Sequence, residues 1–383
     1  MLQFLDGTLR LRFAFVDRYR RLKIGELLIF HYILFRHRFR RQFIIRLAGC
    51  YRYSCKYNAI ARRKRRNCKE REARVGFPSY DQIVEALATE PPLRMLVVDA
   101  AERHVLEGAL AATHAGIVEP IFVGEPRAVQ SLLAEIGANR SFTILPAANG
   151  EEAASLAVEQ IVNGRAGALI KGHLHTDTFL HPILARLRTT KRLSHVFVIE
   201  MERYAKPLLL TDGAINVAPD LATKTAILHN VIEFAVSMGL AVPKVALLSA
   251  VETVKATIPS TLDAAKLVAS SAHGAFAPAL LAGPLAFDCV VSREASAVKG
   301  LTGPVPGDAD IVLVPEIVSG NAIAKALEFG AGATLAGIVL GAQVPIVLTS
   351  RADSVKTRLH STALAAYLYH RSQKTTRSAA PVR

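Results

Sequence analysis

Residues 344–359, VPIVLTSRADSVKTRL, place a hydroxyl, a guanidinium and a carboxylate directly behind an apolar run. The run at 344–348 reads as a buried strand, and a helical pattern starts at 354. Ser350 offers a hydroxyl to a reacting carbonyl oxygen, and Arg351 offers a planar fork that fits phosphate. A plainer reading stands beside it. Ser350 and Asp353 have the spacing of a capping box, which leaves Arg351 in solvent. Residue chemistry alone leaves the two level.

Other stretches carry chemistry of their own. LIKGHLHTDTFL (169–180) gathers Lys171, His173, His175, Thr176 and Asp177 behind a strand. His173 and His175 lack companion ligands at the spacing of a zinc site. A polar strand-end turn and an anion-binding role for Lys171 are both open. VPEIVSGNAIAKALEFGAGA (314–333) runs strand, turn, helix, with Ser319, Gly320 and Asn321 at the turn and Lys325 one helical turn on. Free N–H groups at a helix start favour phosphate, but an ordinary Ser or Asn cap fits as well. Asp288 follows Gly283-Pro284, and Asp308 and Asp310 precede an apolar run; most such carboxylates serve turns and caps. No Walker loop or G-x-G-x-x-G is present, and GAGATLAG (330–337) has the wrong spacing for one.

These residues need a scaffold. Short apolar strands are expected at 94–100, 119–124, 166–172, 194–201, 206–212, 244–250, 276–286, 309–317, 334–342 and 344–350, the pair at 194–201 and 206–212 being candidates to lie together. Helices are expected at 101–116, 151–164, 220–239, 260–273, 292–300, 321–329 and 354–369. Repeated βα units imply an α/β fold with mainly parallel sheets. The length suggests two α/β lobes around a cleft, 76–222 plus 348–371 and 223–347, with a disordered tail at 372–383. In such folds ligands meet the carboxyl ends of strands, which is where Lys171 and Ser350 fall.

Charge divides the chain. Its net charge of +15 belongs to residues 1–75, which hold 21 Lys+Arg against 5 Asp+Glu, leaving 26 against 27 beyond. The apolar stretch at 24–35 is interrupted by Glu26 and too short to span a bilayer. Asp6, Arg10 and Arg12 break up a secretory signal. Three readings of this leader stay open: a basic arm for nucleic acid or an anionic membrane, an organelle-type presequence, or sequence upstream of the working protein. A leader that is poorly ordered or outside the working protein is the expectation. For the body, neither nucleic acid nor membrane is an expected partner. Cys50, Cys55, Cys68 and Cys289 do not form a disulfide framework, and a cytoplasmic location is expected.

KGHLHTD (171–177), RLSHVFVIE (192–200), LLLTDGAINVAPDLATKTAILHN (208–230), PKVALLSAVETV (243–254), STLDAAKL (260–267), GPLAFD (283–288), GDADIVLVPEIVSGNAIAKAL (307–327) and GAQVPIVLTSRADS (341–354) occur in a fixed order. Together they resemble the phosphate acetyl/butyryl transferase family (phosphotransacetylase and phosphotransbutyrylase). LAFD and SRADS look closer to its butyryl branch. KGHLHTD is also similar to the transferase half of enoyl-CoA hydratase fusions, although this chain has no hydratase segment.

The resemblance implies two α/β lobes of isocitrate/isopropylmalate dehydrogenase-like architecture with an interlobe cleft, in a homodimer. It implies transfer of an acetyl or butyryl group between CoA and phosphate by direct attack in a ternary complex. CoA and acyl phosphate or phosphate are then substrates, with no tightly bound cofactor and no metal. Ser350 and Arg351 match the family's active-site pair, with Asp353 as the nearby carboxylate. Lys171, Thr176, Ser194, Asp288, Gly320, Asn321 and Lys325 become substrate-binding candidates. Three positions depart from the family pattern. Thr357 stands where acetyl-type members carry an aspartate, a further arginine is replaced near His181, and Ser319 stands in SGN where EAGN is common. Two other functions stay in view: a metal- and NAD-dependent decarboxylating dehydrogenase, and a non-catalytic scaffold with a basic leader.

Overall fold

Strand β1 (Leu93–Val98) shows how the interior is organised. Met95 and Val97 pack into one core with Leu106 and Leu364, while Leu96 and Val98 pack into another with Ala157 and Phe179. Alternate side chains leave opposite faces of a strand, so an apolar run of this kind is buried on both. The computed structural model describes residues 76–350 and 352–379. The leader, Arg351 and the last four residues lie outside the described residues, and the expectations for the leader with them.

The order after β1 is α2 (Arg103–His114), β2 (Val118–Gly124), α3 (Pro126–Glu135), β3 (Thr143–Pro146), α4 (Gly150–Val162), β4 (Ala168–Lys171) and α5 (Thr176–Arg186); α1 (Tyr80–Leu87) precedes them. There follow β5 (Ser194–Glu200), β6 (Leu208–Thr211), α6 (Leu221–Ser237), β7 (Lys244–Leu248), α7 (Pro259–Ala272), β8 (Leu280–Leu285), α8 (Phe287–Val291) and α9 (Arg293–Val298). The chain closes with β9 (Ile311–Leu313), α10 (Ile317–Lys325), a π turn (Ala326–Gly330), β10 (Thr334–Leu340), β11 (Ile346–Val347) and α11 (Val355–Ala379).

All the strands join one sheet, in the order β3-β2-β1-β4-β11-β10-β5-β6-β9-β7-β8. Most pairings are parallel, as the βα repeats predict. The exceptions, β10 with β11, β10 with β5 and β5 with β6, lie at its middle. One sheet runs through the whole described body. β5 and β10 pair along seven residues each, and this ladder carries the sheet across the middle unbroken. A third core, around Leu208, Leu210, Val290 and Val312, fills the β6–β9 side.

Several boundaries differ from the sequence reading. α1, α3, α5 and α8 and strand β3 are additional, and α1 and α3 have legible starts: a Ser79/Gln82 capping box and Pro126 at the first turn. β11 keeps only two residues of the apolar run at 344–350. The last helix runs to Ala379, so the disordered tail expected from 372 is corrected as well. Nothing after Ser354 breaks it before Pro381, and two of its side chains in the last third are held. Arg371 Nε donates to the Ser237 carbonyl at 2.7 Å, and Lys374 pairs with Glu90. Among the described residues, no helix is long and apolar enough to cross a membrane.

Two buried histidines predict an acid sensitivity. His195 lies on β5, and His360 lies on α11 against Tyr80. Burial holds both imidazoles down to about 4. The unfolded chain takes up a proton near pH 6.5 that the folded chain resists until about 4. This part of the stability is present above pH 6.5 and is lost as pH falls towards 4. The raised carboxyls of Asp99 and Glu200 act in the opposite sense, so a variant isolates the effect. His360→Phe keeps a ring beside Tyr80 and removes the proton site. Its loss of unfolding free energy between pH 6.5 and 4 should be smaller than the parent's by about 2–3 kcal/mol. Parallel urea-stability curves across that range would rule this out.

Candidate active site

Two strand ends form the site. β4 ends at Lys171 and passes through Gly172 into α5. Gly172 N donates to the Val98 carbonyl at 2.8 Å, and a Cβ there would stand 2.2 Å from the Asp99 carbonyl oxygen. Only glycine permits this approach, which brings Lys171 and the start of α5 together. β11 ends two residues before Thr349 and Ser350, next to β4 in the sheet.

Between these ends lies a cleft of about 800 Å³. Lys171, His175, Thr176, Asn321, Lys325 and Ser350 are among its lining residues, as are Glu328, Asp353 and Thr357. Its base includes Phe197, Leu335 and Gly337 on the central antiparallel strands. Lys171 is buried and Ser350 exposed. Thus six expected site residues (Ser350, Asp353, Lys171, Thr176, Asn321 and Lys325) share one cavity. Arg351 lies outside the described residues and follows Ser350 directly in the chain.

The loop around Ser350 is held on both sides. Ser350 N donates to Asp353 Oδ2 at 2.7 Å. Its carbonyl accepts from Arg358 Nη2 at 2.8 Å, while Arg358 Nη1 donates to Thr349 Oγ1 at 2.8 Å. Among the described residues, the Ser350 hydroxyl takes only a long bond from Ala352 N, at 3.4 Å. Ser350 is therefore not the cap expected from its spacing to Asp353. Ser354 takes that place, accepting from Thr357 N at 3.0 Å, because the helix starts four residues later. Burial raises the Asp353 carboxyl, against the Ser350 N–H bond and the nearby Arg358, Lys325 and Lys171.

Arg358 is the functional candidate the sequence reading missed. It is buried and reaches back from α11 to the strand end, with its stem against Gly108. Burial lowers its guanidinium's proton affinity, while Asp353 and Glu102 favour the charge. A signal was present: Thr357, Arg358, His360, Ser361 and Thr362 form a buried polar run within a helix core of Leu and Ala. Buried polar groups need partners. Ser361 Oγ donates to the Thr357 carbonyl and accepts from Gly337 N, tying α11 to the cleft floor.

The two helix starts at the cleft differ. At α10 the carboxylate of Glu316 accepts from Val318 N at 2.7 Å and from Ser319 N at 2.9 Å. The open turn considered at Ser319–Asn321 is thus already capped by an anion, and Ser319 Oγ also donates to Glu316. At α5, His175 is the N-cap and makes no side-chain cap bond. The electropositive end of α5 therefore faces the cleft without a side chain spent on it. Gly320 packs on Gly213, where a Cβ would stand 2.8 Å from the Gly213 Cα.

Other candidates fall elsewhere. Ser194 is buried beside α6, accepting from Asn230 Nδ2 at 2.9 Å, and does not line the cleft. Nor does Asp288, which pairs with Lys299 at 2.9 Å. Asp288, Glu252 and Cys289 form the one group of three potential metal ligands among the described residues, and Lys299 already bonds both carboxylates. Asp308 and Asp310 form an ion cluster with Lys206, Lys244 and Arg293. His173 pairs with Glu102 at 3.5 Å, while His175 lines the cleft, so the two histidines part. His181 is exposed on α5, away from the cleft lining.

Comparison with known proteins gives consistent results. A family model described as phosphate acetyl/butaryl transferase matches residues 146–366. The chain is 44% identical over 294 residues to a phosphate acetyltransferase of Rhizobium meliloti, covering 75% of this chain and 92% of that protein. It is 39% identical over 292 residues to a phosphate butyryltransferase of Clostridium acetobutylicum, covering 75% and 97%. Among solved structures, a branched-chain phosphotransacylase from Enterococcus faecalis V583 superposes with a TM-score of 0.64 at 32% identity, covering 73% of this chain and 99% of that one.

Proposed function

Since the chain belongs to the phosphate acetyl/butyryl transferase family, we propose that it transfers a short acyl group between CoA and inorganic phosphate: acyl-CoA + phosphate ⇌ acyl phosphate + CoA. It is an acyltransferase, and CoA with acyl phosphate or phosphate are its substrates. The observation that carries the assignment to this cleft is the meeting of two strand ends, which puts the Ser350 hydroxyl in one cavity with Lys171, Lys325 and the start of α5.

A thiol attacking an acyl phosphate drives negative charge onto the carbonyl oxygen and then onto the departing phosphate. In this reading Ser350 donates to the carbonyl oxygen and Arg351 pairs with the phosphate. Lys171 and the N–H groups opening α5 supply further positive potential, and Thr176, Asn321 and Lys325 line the substrate path. Asp353 acts by setting the Ser350 loop. Held in one cavity, the reactants need no covalent enzyme intermediate. The same reading includes two lobes of isocitrate/isopropylmalate dehydrogenase-like architecture with an interlobe cleft, a homodimer and a cytoplasmic location. The findings support this transferase, and neither the dehydrogenase nor the scaffold alternative.

The test is thioester formation by the full chain from CoA and acetyl or butyryl phosphate, in a chelator. Turnover with both donors is expected, and the faster one gives the acyl class. A folded chain that makes no thioester from either donor would overturn the assignment.

A further inference from the structure

The reaction needs a base. A free thiol has a pKa of ~8.5 and is mostly protonated at neutral pH. Asp353 is the carboxylate nearest Ser350, but its Oδ2 already accepts from Ser350 N, and protonating it would loosen the loop that it shapes. Thr357, at the position of the acetyl-type aspartate, has no basic group. Its hydroxyl is directed at one, however: Thr357 Oγ1 donates to Glu328 Oε1 at 3.0 Å.

Glu328 comes from the π turn that extends α10. Asn321, Lys325 and Glu328 follow at helical spacing, and all three line the cleft. Such turns re-aim side chains and occur often at functional sites. Ser354 Oγ bonds Thr357 Oγ1 at 3.1 Å, so the hydroxyl that orients Glu328 is itself held. His175 also lines the cleft, but among the described residues it has no hydrogen-bond partner to orient its ring.

We propose that Glu328 is the general base of the acyl transfer. Its carboxylate takes the thiol proton of CoA as sulfur bonds to the acyl carbon. The bond from that carbon to the phosphate oxygen breaks, and its electron pair leaves with phosphate. The proton then passes from Glu328 to the phosphate or to water. In the opposite direction the protonated carboxyl returns a proton to the leaving thiolate. The inference rests on the transferase reading above.

The electrostatic setting fits the role. Burial raises the Glu328 carboxyl and Asp353 adds to the rise, against the Thr357 bond and Lys325. Among the described residues, Asp353 and Lys325 are the charged groups that act on it. A carboxylate with a raised pKa is a stronger base, and the rate should fall as pH drops through that value.

The experiment is steady-state kinetics of the full chain with CoA and the better acyl phosphate, across pH. Glu328→Gln should lower kcat by about 10²-fold or more, change KM little, and remove the acidic limb of the pH–rate profile. Thr357→Val should move that limb to higher pH, since it removes a bond that lowers the Glu328 pKa. Adding Thr357→Asp to Glu328→Gln should restore part of the rate by supplying a carboxylate from the opposite wall. Glu328→Gln with unchanged kcat and an intact acidic limb would overturn the proposal. So would a limb that disappears in His175→Gln and persists in Glu328→Gln. A parent chain inert at every pH would instead sink the transferase reading itself.

Discussion

Ser350→Ala should lower kcat for thioester formation by about 10²–10³-fold, the usual cost of one donor to a developing oxyanion. The geometry makes this a clean substitution. The Ser350 N–H is held by Asp353 and its carbonyl by Arg358, so the backbone keeps both restraints without the hydroxyl. Among the described residues, the hydroxyl's one hydrogen bond is the 3.4 Å bond that it accepts from Ala352 N. Its proton is thus left to donate into the cleft. KM for the acyl phosphate should change much less than kcat, because a donor aimed at the oxyanion acts mainly in the transition state. Thermal unfolding should match the parent's, Ser350 being exposed. A variant retaining most of its kcat would remove Ser350 from the chemistry and leave it a loop residue.

Arg358→Met should be the most damaging change to stability, by about 3–5 kcal/mol in urea unfolding. Methionine keeps much of the stem that packs on Gly108 but removes the donors. The Thr349 hydroxyl then loses its partner, the Ser350 carbonyl keeps the 3.2 Å bond from Asp353 N alone, and Asp353 and Glu102 lose a counter-charge in a buried setting. Glu102 Oε2 is buried without a hydrogen bond, which leaves the His173 ring, at 3.5 Å, beside it. Because this variant risks not folding, Arg358→Lys separates position from stability. An ammonium keeps the charge but cannot span both acceptors as the fork does. Arg358→Lys should fold, retain KM within about threefold and lose about tenfold or more in kcat, since a small displacement of a reacting group is costly. Equal kcat in Arg358→Lys and the parent would show that the Ser350 loop holds its place unaided. Arg358 is a positioning residue in this account, acting through Ser350.

Much of the frame was legible. The alternation of short apolar strands with helical stretches led to a mainly parallel α/β sheet, because strands buried on both faces need continuous apolar runs. The strand-end rule led to Lys171 and Ser350, which do share a cleft. Local rules failed where the polar partner was distant in sequence. Ser350 and Asp353 carry a cap signature, but the helix start is fixed by Ser354, and the Ser350 loop by Arg358 eight positions on. A helix was expected to open at Asn321, but α10 starts at Ile317, which puts Gly320 and Asn321 inside it, and Glu316 satisfies its first free N–H groups. The tail read as disordered from its composition, but Ser237 and Glu90 receive its side chains.

The sequence by itself determined the fold class, the family and the two strand ends that carry Lys171 and Ser350, because these depend on periodicities and motifs within a few tens of residues. Tertiary structure decided which charged groups meet. Thr357 and Glu328 are 29 positions apart, and Arg358 and Glu102 lie on different helices or their flanks. No local pattern encodes such pairs. They arise because one continuous sheet sets β10 beside β11 and lays α11 across both, so that groups from the π turn, the strand end and the last helix converge on one cavity.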